Sequence, residues 1–261
     1  AYRVRSIENV IEEIKFLIKK YKIFHVEFID ELFFLQKNRI EDLCEKMLSE
    51  NLKITWECAM RVNLVDRDIL RLMKKAGCVL ISYGIESGSQ DILERMNKRN
   101  TVEQNIKALK ETKKAGIFPA VNCIIGYPGE TKQTIKDTEE MLNKIGCHAG
   151  IHFIQALQGC ALYKQVREAG FIKDEEDYFL SLDKHINDLP IDFTGLSKKF
   201  IEQEQKRITT NLYKYYLKSS RNLKWQRLKF YLMKGNINFL KYAILRGAAK
   251  IKQKILKPVW S

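Results

Sequence analysis

Over the first 155 residues the hydrophobic pattern switches repeatedly between two periods. Short runs rich in β-branched and aromatic residues alternate with stretches of roughly 10–15 residues whose apolar positions recur three and four apart, as in repeated βα units around a parallel sheet. Val10, Ile11, Ile14, Leu17 and Ile18 mark a helix opening at Ser6 or Asn9, and Phe24 to Ile29 reads as the following strand. A helix over about 37–50 leads to a strand Ile54 to Cys58. Asp66 caps a helix carrying Ile69, Leu70, Leu72 and Met73, which Gly77 stops by taking the left-handed position. Strand Cys78 to Tyr83 runs into Gly84-Ile85-Glu86-Ser87-Gly88. Thr101 and Gln104 form a capping box for a helix to Ala115, and Pro119 to Ile125 is the next strand. A helix over about 131–145, a strand His152 to Ile154 and a short helix Leu162 to Ala169 follow, while 171–197 reads as acidic and irregular.

The fold class is therefore α/β with five parallel strands. Every later helix follows a strand, yet the chain opens on a helix, so a first strand is expected upstream. The start at Ala1, without an initiator methionine, points the same way. With 261 residues, 45% apolar and 30% charged, the composition is that of a soluble globular protein. No run of about 18 apolar residues is present to span a membrane. The cysteines at 44, 58, 78, 123, 147 and 160 include no pair at metal-knuckle spacing. Cys58, Cys78, Cys123 and Cys147 sit in apolar surroundings, as reduced buried thiols do, and with no signal peptide the compartment reads as cytoplasmic.

Function in parallel βα proteins gathers at the C-terminal strand ends, where side chains and loop amides face a common mouth. Those ends carry Asp30-Glu31, Glu57 with Arg61, Glu86-Ser87, and Asn122 ahead of Gly126-Tyr127-Pro128-Gly129-Glu130. Acids at three successive ends suit metal binding, contacts to ribose hydroxyls and an amine, or glycoside hydrolysis. Glu130 reads as the acid of its turn and His152 as a core histidine of an apolar strand.

The series Phe28-Ile29-Asp30-Glu31, Trp56-Glu57-Cys58-Ala59-Met60-Arg61-Val62, Ala76-Gly77-Cys78, Gly84 to Gln90, Met96-Asn97-Lys98 and Ile125 to Thr131 resembles the radical S-adenosylmethionine (SAM) superfamily. It is most similar to the branch with an N-terminal cobalamin-binding domain, which includes anaerobic magnesium-protoporphyrin ester cyclases and lipid methylases. The resemblance implies a partial (βα)6 TIM-like barrel over 1–165, here lacking its first strand, an irregular connection over 166–197 and a C-terminal helical extension over 198–261. It also implies SAM, a 4Fe-4S cluster and cobalamin as cofactors. The three cluster cysteines of a CxxxCxxC loop are expected upstream of Ala1, because no such loop occurs in the chain. By resemblance Asp30 and Glu31 accept from the SAM amine, Glu57 contacts ribose or amine, and Glu86 with Ser87 forms a ribose motif. Lys98 pairs with the SAM carboxylate, Arg61 is a second carboxylate partner, Asn122 reaches the ribose, and Gly126 admits adenine. Gln158-Gly159-Cys160-Ala161-Leu162-Tyr163 departs from the branch's Pro-Gly-Thr-Pro-Leu-Tyr.

Net charge, +14 overall, is confined to one end: residues 198–261 hold 17 Lys and Arg against Glu202 and Glu204. Ten aromatics at helical spacing interleave them, so two or three helices are expected there, covering the barrel with their cations outward. A membrane surface suits this tail better than nucleic acid, because the small β-barrel that RNA-modifying relatives carry at this end has no counterpart. The expected activity is reductive SAM cleavage driving methyl transfer or radical cyclisation on a small molecule, with an upstream cobalamin-type domain and an electron donor as partners. Two alternatives stand beside it: a cluster-free SAM-binding module or partner subunit, and an unrelated TIM-like hydrolase using the strand-end acids.

Overall fold

A computed structural model describes residues 4–29, 37–182 and 189–233. Five strands, β1 (His25–Phe28), β2 (Thr55–Ala59), β3 (Cys78–Glu86), β4 (Phe118–Ile125) and β5 (Ala149–Phe153), form one sheet in sequence order, every pair parallel. The connecting helices are α1 (Ile7–Tyr21), α2 (Lys37–Ser49), α3 (Arg67–Lys75), α4 (Gln90–Arg95), α5 (Val102–Lys114) and α6 (Lys132–Ile145). After β5 come α7 (Ala161–Glu168), α8 (Glu175–Leu182) and α9 (Lys198–Met233).

The caps read from the sequence form as expected. The Asp66 carboxylate accepts from the amides of Asp68 at 2.9 Å and Ile69 at 3.3 Å, and Thr101 with Gln104 makes a reciprocal capping box. One face of the sheet buries Trp56, Cys58, Ile81, Tyr83, Ile85, Val121, Cys123 and Ile151 beneath the helices. The opposite face carries the alternate residues, Glu57, Ala59, Ser82, Gly84, Glu86, Asn122 and His152, and these are half-buried or exposed.

Several expectations need correction. β3 continues three residues past Tyr83, because Gly84 pairs with Asn122 and a bulge then carries Glu86 opposite Cys123. β5 begins at Ala149, where Gly146 to Gly150 reads as loop by composition but pairing with β4 decides otherwise. The acidic stretch is not irregular throughout: Glu175, Glu176 and Asp177 occupy the first turn of α8, where negative charge suits the helix dipole. Within the described residues the basic extension is one unbroken 36-residue helix, and the rest of the stretch expected to hold two or three helices, 234–261, lies outside the described residues.

α9 also shares the core. Ile201, Ile208 and Leu212 are buried with the sheet. Ile154 donates its amide to Ile125 on β4, so Ile151 turns its carbonyl to the open edge of β5, and Gln205 Nε2 donates to it at 2.9 Å. Further along, Tyr215 Oη donates to the Asn143 side chain at 3.2 Å at the end of α6. Tyr231 Oη donates to the Phe24 carbonyl at 2.9 Å and meets the Thr55 hydroxyl, so α9 links the last strand to the first two.

Candidate functional site

At the C-terminal ends of β2, β3 and β4 lies a cleft of about 720 Å³, walled by Ala59 to Asn63, Ser82, Gly84, Glu86, Asn97 to Asn100 and Asn122. Its volume is that of a small-molecule site. Four of the residues expected there, Arg61, Glu86, Lys98 and Asn122, converge on it.

Lys98 Nζ donates to Glu86 Oε1 at 2.6 Å, a charge-assisted contact between partly shielded side chains. The pair depends on unusual backbone. Glu86 has φ 66°, and Asn97 and Arg99 on either side of Lys98 have φ 51° and 53°. Left-handed non-glycine residues cost of order 1–3 kcal/mol and gather at ligand-binding sites. Gly84 completes the arrangement, since a Cβ there would stand 2.5 Å from Glu86 Oε1. Asn122 Nδ2 donates to Ser82 Oγ at 3.1 Å, and His152 Nε2 lies 3.4 Å from Asn122 Oδ1. His152 is thus exposed on the open face, not a core residue, because its strand position shares the parity of Gly150 rather than of Ile151.

Other expected residues lie elsewhere. Asp30 and Glu31 fall outside the described residues. Glu57 faces α9: its carboxylate meets His25 Nε2 at 3.1 Å and Arg227 Nη2 at 3.2 Å. Burial pushes that carboxyl up, but the hydrogen bond from His25 and the charges of His25 and Arg227 outweigh it and hold it below the usual range. Ser87 is fully buried under the cleft, where its hydroxyl accepts from the Ser89 amide at 3.1 Å and meets Thr138 Oγ1 at 3.2 Å. Gly126, at φ 95°, faces the apolar side chains of Leu189, Ile154 and Ile201 rather than open space. Its amide donates to Glu130 Oε2 at 2.6 Å, and burial pushes that carboxyl up to about 7 against the opposing backbone hydrogen bonds.

Sequence reading missed Ser82, Asn97, Arg99 and Asn100. Ser82 was detectable, because it shares the strand face of Gly84 and Glu86 at two-residue spacing. Asn97 stands in the Met96-Asn97-Lys98 motif, where only Lys98 has an expected role, and Asn100 lies in the turn that follows. Asn100 Oδ1 is buried with no hydrogen-bond partner among the described residues. Cations, a carboxylate, amides and a hydroxyl around one nucleoside-sized cleft fit SAM, whose amino acid and ribose present complementary groups. The cluster is different. Among the described residues no group of three His, Cys, Asp or Glu is placed to hold a metal ion, and five cysteines are buried.

Comparison with known proteins places the chain in a family. An uncharacterized methyltransferase of Pyrococcus horikoshii is 38% identical over 144 residues, covering 55% of this chain and 31% of its own length. An anaerobic magnesium-protoporphyrin IX monomethyl ester cyclase of Rubrivivax gelatinosus is 32% identical over 142 residues, covering 54% of this chain and 26% of its own length. The chain thus spans a quarter to a third of the length of these two relatives. The structure of a radical SAM methyltransferase from Kitasatospora setae, with cobalamin and a 4Fe-4S cluster bound, aligns at TM-score 0.51 and 18% identity over 57% of this chain and 31% of that one, a likeness of fold. The profile of the Radical SAM superfamily matches residues 1–142, from the first helix through the strand-end cleft, and the chain belongs to that superfamily.

Proposed function

We propose that this chain forms the SAM-holding part of the barrel in an enzyme of the methyltransferase or cyclase type acting on a small molecule. A cobalamin-binding domain, the cluster cysteines and an electron donor would come from outside these 261 residues. The observation that carries the reading is the Glu86–Lys98 pair, held on strained backbone at the mouth of the sheet. Its support in the comparisons is the methyltransferase and cyclase activities of the sequence relatives and the cobalamin and cluster bound in the similar fold. Family membership removes the ground for an unrelated hydrolase, and the engagement of Glu57 by Arg227 takes one strand-end acid away from such chemistry.

SAM, bound in such a site, supplies a methyl group or a 5′-deoxyadenosyl radical. The residues of this chain bind and orient it. Lys98 exchanges Glu86 for the ligand carboxylate, Arg61 adds a second positive charge, and the released Glu86 carboxylate accepts from ribose hydroxyls. Asn122, steadied by Ser82, offers an amide to the ribose. Glu130 keeps the β4 loop closed by holding the Gly126 amide.

Calorimetric titration of the chain with S-adenosylhomocysteine tests this. Saturable binding is expected, weakened about tenfold or more by Lys98→Ala, the loss of one charged hydrogen bond. Absence of saturable binding to the folded chain would overturn the cradle.

A further inference from the structure

The last acidic residue of the chain is Glu204, and residues 205–261 contain fifteen Lys and Arg with no acid among them. Two of these cations act inside the fold: Arg207 pairs with Glu139 and Glu204, and Arg227 with Glu57. The others on α9 behave differently. Lys206, Lys214, Lys218, Arg221, Lys224 and Lys229 are all exposed, and steps of three, four, five and eight residues place them on the side of the helix away from Ile201, Ile208 and Leu212.

Large apolar side chains share that outer side. Trp225 is 66% exposed, Leu217 53% and Tyr213 51%, at a cost in water that a helix already anchored on its other face has no internal reason to bear. Cations interleaved with aromatic and aliphatic groups along one outward face are the pattern of a helix lying in a lipid headgroup layer: lysine stems reach to phosphates while Trp, Tyr and Leu enter the acyl boundary. A nucleic acid would account for the cations and the rings, but Leu217 offers neither charge nor a stacking face. The sequence beyond α9 keeps the same mixture, with Ile244, Leu245, Ile251, Ile255 and Trp260 among lysines. Among the described residues no helix is long and apolar enough to cross a membrane, so the contact is one of surface.

We propose that the outward face of α9, from Lys206 to Lys229, docks the protein on an anionic phospholipid bilayer. The surface belongs to α9 and is independent of the cleft at the strand ends.

Co-sedimentation of the full chain with phosphatidylcholine vesicles, with and without phosphatidylglycerol, tests the proposal. Binding is expected only to the anionic vesicles and should fall with added salt. Neutralising Lys218, Arg221 and Lys224 together to Ala should lower the partition coefficient on the order of a hundredfold, as three surface cations near an anionic headgroup layer would. These side chains are exposed, so the circular dichroism and melting temperature should not change. A second readout uses Trp260→Phe, which leaves Trp225 as the exposed indole beside the buried Trp56. Its fluorescence should shift to the blue on vesicle addition and be quenched by brominated acyl chains. Equal binding to neutral and anionic vesicles, an unquenched Trp225, or single-stranded RNA displacing the protein from anionic vesicles would each overturn the proposal.

Discussion

Arg227 Nη2 lies 3.2 Å from Glu57 Oε2, joining the far part of α9 to the second strand across 170 positions of sequence. Both side chains are largely shielded, and His25 shares the contact, with its Nδ1 on Thr55 Oγ1 at 2.9 Å. A strand-end acid expected to hold a ligand is instead the anchor for the basic extension.

Removing Arg227 leaves the shielded Glu57 carboxylate with His25 as its remaining partner. Arg227→Ala is expected to cost about 1–3 kcal/mol in urea unfolding at pH 7. The Glu57 carboxyl is held below its ordinary value, so its contribution is present above the unfolded carboxylate range and is lost as pH falls through the folded value. The penalty of Arg227→Ala should therefore shrink on acidification. A double cycle with Glu57→Gln that showed no coupling would place the effect in lost packing of the arginine stem.

Gly84 and Gly88 lie four residues apart and should respond differently to alanine. At Gly84 the new methyl meets the end of the Glu86 side chain, which can swing aside. Gly84→Ala should leave the melting temperature nearly unchanged but put a methyl group into the cleft beside Glu86 and Lys98, weakening S-adenosylhomocysteine binding about tenfold by crowding the ligand. At Gly88 the methyl would stand 2.6 Å from the Thr138 Cα and 2.8 Å from the Asp137 carbonyl oxygen, both backbone atoms of α6. Gly88→Ala should destabilise by about 2 kcal/mol or more, read from thermal or urea unfolding.

Glu130 gives the fold a pH dependence of opposite sign to that of Glu57. Its folded value, about 7, lies above the ordinary 4.5, so the native state binds the extra proton and stability falls as pH rises between those two values. The change should amount to roughly 3 kcal/mol, from two to three pKa units at about 1.4 kcal/mol each. Glu130→Gln keeps an acceptor for the Gly126 amide and removes the titration. Urea unfolding across pH 5–8 should show this slope in the wild type and its loss in the variant.

Part of the strand-end geometry is legible in the sequence. Local chemistry determined the helices at Asp66 and Thr101, because caps act within three residues. Lys98 is assigned to the strand-end site only through the family resemblance of the Met96-Asn97-Lys98 motif, and it lines the cleft. Three things were decided only by tertiary structure. Ser87 follows Glu86 directly, yet the left-handed turn at Glu86 sends its hydroxyl under the cleft to Thr138, 51 positions away. β5 forms from a glycine-containing stretch because β4 offers it a partner. Glu57 turns from ligand candidate to anchor because α9 brings Arg227 to it, and no local pattern in either segment records the other. Propensity, capping and strand parity act between neighbours in sequence and are read there; the partner of a charge is set by how elements pack, which depends on the whole chain.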